Sequence, residues 1–262
     1  MELKLYQIDA FTNEIFKGNP ACVVPLKEWL PDETLFNITK ENAVAETAFF
    51  VINGDKVHLR WFTPEIEMDL CGHATLAAAH VIYSMMDFDK QEIVFTTLSG
   101  ELTVTVEDGM YALNFPSRKP VPAVLPELIA QALNIQPSAV LKSRDFVLIY
   151  ENEHQIRDIT IDRQVFDQIN LDPGGVVVTA PGSSADFVSR YFTPQSTILE
   201  DPVTGSAHCS LIPYWKEQLN KNHMIAIQLS ERTGTLYCSD LGERVIIRGN
   251  ARTYAIGTIQ TV

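Results

Sequence analysis

Two stretches of this chain read as edited copies of one another, and that constrains the fold more than any other feature. Arg60-Trp61-Phe62-Thr63-Pro64 leads to Cys71-Gly72-His73-Ala74-Thr75 and then an Ala-rich helical run. Arg190-Tyr191-Phe192-Thr193-Pro194 leads to Thr204-Gly205-Ser206-Ala207-His208 and a second helical run ending near Leu219. Thr193 lies 130 residues after Thr63 in a chain of 262. Each copy is a strand, a loop and a Gly-small opening to a helix. The duplication predicts two similar domains, each aiming a helix N-terminus at a cleft between them. Helix N-termini carry N–H groups without intrahelical partners and the positive end of the macrodipole, so they attract anions. A cleft lined by two of them is suited to a carboxylate.

Composition narrows the function classes. Apolar residues at 46% and charged residues at 20% are those of an ordinary globular protein with real cores. The net charge of −13 excludes a general nucleic-acid binder, which needs clustered Lys and Arg, and fits anionic lipid surfaces poorly. An anionic substrate must therefore be held by local dipoles against an unfavourable global field. No segment reaches the roughly 20 apolar residues of a membrane span. Residues 1–10 alternate like a strand and lack a signal-peptide core. The four cysteines (Cys22, Cys71, Cys209 and Cys238) have no C-x-x-C spacing, which suits reduced thiols. These features together predict a cytoplasmic protein.

The periodicity predicts strands at 3–10 and 21–26 around a Gly18-Asn19-Pro20 turn, then a helix from Pro31 to Asn42. Strands at 46–52 and 57–63 flank an Asn53-Gly54 hairpin signal. The run 73–86 is helical and apolar nearly all round, hence buried. Strands at 91–96, 101–106 and 110–115 complete the first half. Residues 116–126 contain four prolines and read as a linker. Beyond it come a helix at 124–133, strands at 139–150 and 155–161, a short helix at 163–169, and strands at 175–180 and 185–193. The helix 205–219 and strands at 224–229, 235–239, 243–248 and 253–260 close the chain. Helices are too few, and too unevenly placed, for a parallel βαβ sheet. The expected class is α+β: two domains, each a curved antiparallel barrel-like sheet around a central helix. The boundaries fall at 1–117 and 118–262, with residues 251–262 left open to return to the first domain.

Several side chains could carry chemistry. Glu46, in an otherwise apolar strand, is either a strand-end carboxylate reaching water or a general base in a partly desolvated setting. Cys71-Gly72-His73 is either a core thiol, a turn glycine and a capping histidine, or an anion cradle in which His73 adds a donor. The helix dipole would also favour a Cys71 thiolate. Asp201 before Pro202 is a turn initiator or a site carboxylate, and Ser206 repeats the small-residue opening. His208 reads as a packing or surface residue. His73 and His80 share a helix face, but no acidic or cysteine partner has metal spacing, so no metal is expected. G-x-G-x-x-G, Walker-type and G-x-S-x-G motifs are absent, which weighs against nucleotide and acyl-enzyme chemistry.

The set as a whole resembles the PhzF-like isomerases, the phenazine-biosynthesis family within the diaminopimelate-epimerase-like fold. The matching residues are Asp9-Ala10-Phe11, Gly18-Asn19-Pro20-Ala21, Ala45-Glu46-Thr47-Ala48-Phe49, Phe62-Thr63-Pro64, Gly72-His73-Ala74-Thr75 and Glu200-Asp201-Pro202-Val203-Thr204-Gly205-Ser206-Ala207. The resemblance implies two helix-enclosing domains, a homodimer, and no metal, nucleotide or organic cofactor. It places the proton-shuttling glutamate on Glu46 and the supporting polar residues on His73, Asp201 and Ser206. Gly72, His73, Gly205, Ser206 and Asn19 would contact substrate. The expected reaction moves a proton between carbons of a small, unsaturated or cyclic carboxylic acid. Two alternatives stand beside it. One is a two-base racemase or epimerase of the proline racemase or diaminopimelate epimerase type, disfavoured because Thr204 stands opposite Cys71. The other is a non-catalytic protein that binds small acids.

Overall fold

The computed structural model describes residues 1–171 and 174–261; Asp172, Pro173 and Val262 lie outside them. The chain divides into two compact units, Met1–Phe115 with Ile246–Val262, and Pro116–Val245. The first contains β1 (Glu2–Ala10), β2 (Asn19–Leu26), α1 (Asp32–Asn42), β3 (Glu46–Asn53), β4 (Lys56–Phe62), β5 (Glu67–Met68), α2 (Gly72–Met85), β6 (Glu92–Thr97), β7 (Gly100–Glu107) and β8 (Met110–Pro116). The second contains β9 (Val121–Pro122), α3 (Glu127–Ala132), β10 (Ala139–Lys142), β11 (Phe146–Ile149), α4 (Glu153–Asp158), α5 (Arg163–Phe166), β12 (Val176–Pro181), β13 (Phe187–Phe192), β14 (Glu200–Asp201), α6 (Gly205–Leu219), β15 (His223–Gln228) and β16 (Gly234–Asp240). β17 (Arg244–Gly249) leads out of it, and β18 (Ala251–Gln260) ends the chain in the first unit.

The repeat read from two short motifs extends to the strand pairing. In the first unit β1–β2, β3–β4, β4–β5 and β6–β7 are antiparallel, while β2–β3 and β4–β6 are parallel. Adding nine to each strand number gives the pairing of the second unit, with the same directions. One further pairing repeats: β18 lies antiparallel to β1, and β9, nine strands before β18, lies antiparallel to β10, nine strands after β1.

The class is α+β with a curved sheet and few helices, as the sequence implies. The sheet is mixed, however, not wholly antiparallel. Parallel neighbours need a crossover, and α1, α2, α4–α5 and α6 each supply one. Two segments differ from their sequence reading. The expected strand at 155–161 is largely the helix α4, in which Asn152 accepts the Gln155 N–H at 3.1 Å and Arg157 pairs with Glu153 one turn back. Ile156 within the helix and Ile159 just beyond it both enter the core. The expected strand at 139–150 is two strands, turned back at Ser143–Asp145.

Each long helix is buried, and this places its N-terminus. In α2, Ala74, Leu76, Ala77, Ala78, Ala79, Val81 and Ile82 have no exposure, and the helix lies against β1, β2, β3 and β18. Each large side chain so buried contributes about 1.5–3 kcal/mol. α6 lies against β15 and β16 and tolerates Pro213 within it. Proline has no N–H to give the carbonyl four residues earlier, Cys209. That carbonyl instead accepts the backbone N–H of Arg118 at 2.9 Å, which ties the proline-rich segment to the helix.

Candidate active site

The first cluster gathers at the start of α2. Cys71 is its N-cap residue, Gly72 its first residue and His73 its second. Glu46 opens β3, whose parallel neighbour β2 sets Ala21 beside it. The His73 Nε2 lies 3.1 Å from Glu46 Oε2, an ion-pair distance without hydrogen-bond alignment, and neither atom has a hydrogen-bond partner. On the other edge of the ring, His73 Nδ1 is 3.6 Å from Cys71 Sγ. His73 is 2% exposed, whereas the Glu46 side chain keeps 13% of its surface, so the carboxylate is the member of the pair that a ligand can reach. Asn19 is buried at the start of β2. It precedes Ala21 by two residues, so the pleat puts it on the strand face that also carries Glu46. The turn before it needs Gly18, whose φ is +63° and where a Cβ would stand 2.1 Å from the Ala10 carbonyl oxygen.

Electrostatics fix the states of this cluster. Burial pushes the Cys71 thiol up, His73 and the Ala74 N–H offsetting only part of it, so the sulfur stays protonated at neutral pH. Burial also works against a His73 cation, yet Cys71 and Glu46 raise its pKa well above 6.5. With the thiol neutral, the Glu46 carboxylate is the partner that favours the cation. The sequence reading expected no metal-type grouping, but Glu46 joins Cys71 and His73 from a distant segment, with one donor atom of each within 4.8 Å of the others. The arrangement suits a relay better than a metal cage. Sulfur and carboxylate face opposite ring nitrogens, and a single ion cannot bond both edges of one imidazole.

The second cluster opens α6. Asp201 lies in β14, Thr204 is the N-cap residue, and Gly205 and Ser206 are the first two helical residues. The Thr204 hydroxyl donates to Asp201 Oδ2 at 2.5 Å. Gln228, at the end of β15 and 1% exposed, accepts the Thr204 N–H at 2.8 Å. Its amide nitrogen donates to the Asp201 carbonyl at 2.7 Å. His208 is fully buried, its Nδ1 2.8 Å from the Thr204 carbonyl. Burial holds its pKa down at about 4, so it is a neutral packing residue. Cys209 is also fully buried, its thiol pushed up to about 12 by desolvation. No thiol stands at the entrance of α6 to mirror Cys71.

Within each unit the expected residues come together: Glu46, His73 and Gly72 in the first, with Asn19 on the adjoining strand, and Asp201, Gly205 and Ser206 in the second. Gln228 escaped the sequence reading, and nothing near it in sequence marks it. Two residues that open the copied motifs, Arg60 and Arg190, have partners that the motifs do not reveal. Arg60 makes a bidentate pair with Glu67 at 2.7 and 2.7 Å, and Arg190 with Glu200 at 2.7 and 2.8 Å. Each guanidinium covers the phenylalanine two residues on, at 4.9 and 5.0 Å. These pairs pin the short strand before each helix, and the glutamate recurs after Thr-Pro in both copies.

Comparison with known proteins follows this geometry. Residues 8–257 match the family model described as phenazine biosynthesis-like protein. A protein of Pseudomonas aeruginosa named an uncharacterized isomerase is 45% identical over 260 residues, 99% of each chain. The crystal structure of a phenazine biosynthesis protein of the PhzF family from Enterococcus faecalis shares 43% identity and a TM-score of 0.93, each chain covered in full. A hydroxyproline epimerase from Agrobacterium vitis, at 9% identity and a TM-score of 0.62 over 98% of this chain and 92% of that one, shares the fold.

Proposed function

This chain belongs to the phenazine biosynthesis-like protein family, and from that premise we propose that it is an isomerase moving a proton between carbons of a small unsaturated or cyclic carboxylic acid. The observation that carries the proposal is the Glu46–His73 pair at the entrance of α2. Glu46 removes a proton from a carbon that is both allylic and next to the substrate carboxylate, then returns it two carbons further along. The electron pair left behind spreads into the carboxylate as a dienolate. The N–H groups of Gly72 and His73 meet that growing charge at the positive end of the helix. His73, its Nε2 3.1 Å from one oxygen of Glu46, holds that oxygen by charge and leaves the other to the substrate. Asp201, Gly205 and Ser206 supply further substrate contacts, and Asn19 orients the acid. The reaction calls for no metal, nucleotide or organic cofactor, because the conjugated carboxylate is itself the electron sink.

Magnitudes select the substrate class. A positioned acid–base group contributes about 10²- to 10⁴-fold. A helix terminus adds about 0.3–2 kcal/mol toward an adjacent anion. Together they are too weak for an ordinary amino-acid α-carbon and adequate for an activated allylic one. The neutral, buried Cys71 thiol and the missing second thiol also weigh against two-thiol racemisation.

The test uses cyclohex-2-ene-1-carboxylate in D2O, with NMR and mass spectrometry. The expected outcome is conversion to the conjugated cyclohex-1-ene isomer with no added cofactor, deuterium entering at the receiving carbon to the extent that Glu46 exchanges its proton with solvent before returning it. Tight binding of such acids with neither conversion nor deuterium entry would instead identify a binding protein. The proposal includes a homodimer, which light scattering of the purified protein checks directly.

A further inference from the structure

The N-cap residue of a helix ordinarily turns its side chain back onto the helix's own first N–H groups. Neither long helix uses its N-cap side chain in that way. Thr204 is a residue type favoured for capping, yet its hydroxyl is directed at Asp201. The hydrogen-bond roles around it are fixed by elimination. The Gln228 Oε1 accepts the Thr204 N–H at 2.8 Å, which defines which end of the amide is which. The NH2 group then faces the Asp201 carbonyl at 2.7 Å and the Thr204 Oγ1 at 3.2 Å. An amide NH2 can only donate. Thr204 Oγ1 therefore accepts from Gln228, and its single proton is left for Asp201 Oδ2 at 2.5 Å. Thr204 and Gln228 are 6% and 1% exposed, so water does not compete for these bonds.

We propose that Thr204, oriented by Gln228, is a positioning residue for Asp201: it anchors one carboxylate oxygen and fixes the rotation of the group, so that the carboxylate meets the substrate in one orientation. The proposal rests on the reading that Asp201 takes part in the reaction. The first repeat supports it. Cys71, at the position equivalent to Thr204, also turns to an acid–base side chain, with Sγ 3.6 Å from His73 Nδ1. In both halves the capping position serves a neighbouring titratable group in place of its helix. The first N–H groups of α6 are then not covered by the Thr204 side chain, which suits an anion arriving there.

The test compares Thr204→Val, Thr204→Ser, Gln228→Leu and Asp201→Asn with the unaltered protein on cyclohex-2-ene-1-carboxylate, folding being monitored by circular dichroism. Valine keeps the shape of threonine and loses only the hydroxyl. A misplaced reacting group costs up to about 100-fold, so Thr204→Val should lower kcat about 10- to 100-fold with little change in KM. Thr204→Ser, which keeps the donor, should restore most of it. Thr204→Val turning over within about threefold of the unaltered protein, while Asp201→Asn is impaired, overturns the positioning role and leaves the proposed reaction standing. Full activity in Asp201→Asn removes Asp201 from the reaction, and the positioning role with it, while the isomerisation by Glu46 stands. A second arm needs no turnover: in crystals of Thr204→Val the Asp201 carboxylate should rotate away from its present orientation, and an unmoved carboxylate overturns the proposal.

Discussion

The entrances of α2 and α6 occupy equivalent places in a repeat, yet their chemistry differs. Cys71, Gly72, His73 and Thr75 in the first correspond to Thr204, Gly205, Ser206 and His208 in the second. The frame has been kept. An Arg–Glu pair pins the strand before each helix, and a side chain from the fourth helical residue bonds the N-cap carbonyl, Thr75 on Cys71 and His208 on Thr204. The reactive groups have diverged. Where Glu46 opens β3, the equivalent strand β12 opens with Val176. The second copy instead carries its carboxylate on β14, as Asp201. A repeat in which both helix entrances recur but a carboxylate opens only β3 suits one principal base, not a symmetric pair. Glu46→Gln should therefore lower conversion of the probe acid by about 10²- to 10⁴-fold, with the circular dichroism spectrum of a folded protein retained. Retained activity would break the asymmetry on which this reading depends.

The two histidines sharpen the contrast, because they titrate in opposite directions. His208 falls from 6.5 to about 4 on folding, through burial. Below 6.5 the unfolded chain takes up a proton that the folded one refuses, so stability drops as pH falls from about 6.5 to about 4. The loss amounts to about 3 kcal/mol when complete. His73 is raised, so its contribution is fully present below 6.5 and disappears as pH climbs through its folded value. Urea unfolding at a series of pH values should show the acid limb flattened in His208→Leu and the alkaline limb flattened in His73→Asn. Both variants losing the same limb would show that the two environments are alike after all.

A smaller difference lies in the frame itself. Arg60 pairs with Glu67 and, at the surface, Asp32, and stacks on Trp29 at 5.1 Å. Arg190 pairs with Glu200 and also donates to the carbonyls of Ile156 and Ile159 at 3.1 and 2.8 Å. Those carbonyls lie in α4 and just beyond it, so Arg190 holds a helix as well as a strand. Charge-assisted bonds contribute about 1.5–3 kcal/mol each where they are shielded from water. Arg190→Ala should lower the denaturation midpoint more than Arg60→Ala does, and equal losses would contradict the additional role.

How far the sequence reveals all this differs between frame and site. The duplicated Arg-aromatic-Phe-Thr-Pro and Gly-small motifs expose the repeat because they encode local backbone events, a strand end and a helix start. Glu46 and His73 stand out because each interrupts an apolar run. Their meeting at 3.1 Å does not, since it depends on β2 lying parallel to β3 and on α2 packing across both. Parallel pairing leaves no local mark, which is also why an antiparallel sheet was the natural reading. α4 is hard to read from sequence because a six-residue helix with one core residue, Ile156, has too few turns to establish a period. Gln228 sits on a strand of alternating burial and resembles any other polar strand residue. Only its contacts with Thr204 and Asp201, both some 24 or more positions earlier, distinguish it.

The smallest expected effect concerns the thiol. Cys71 is the one feature of α2's entrance that would suit a racemase, and the helix dipole by itself would favour a thiolate there. The structure sets a larger factor against it: Cys71 is buried, and desolvation pushes its thiol pKa up. A thiol held protonated beside a histidine can steady that ring without acting as a base. Cys71→Ala should therefore change turnover of the probe acid by no more than about threefold. That is the effect expected from losing one weak hydrogen bond of about 0.5 kcal/mol. The native protein should also resist iodoacetamide at neutral pH at this position, reacting only after unfolding. Rapid alkylation of Cys71 in the folded protein, with activity lost in proportion, would restore the thiol as a catalytic base and make the two helix entrances more alike in chemistry than their hydrogen bonds indicate.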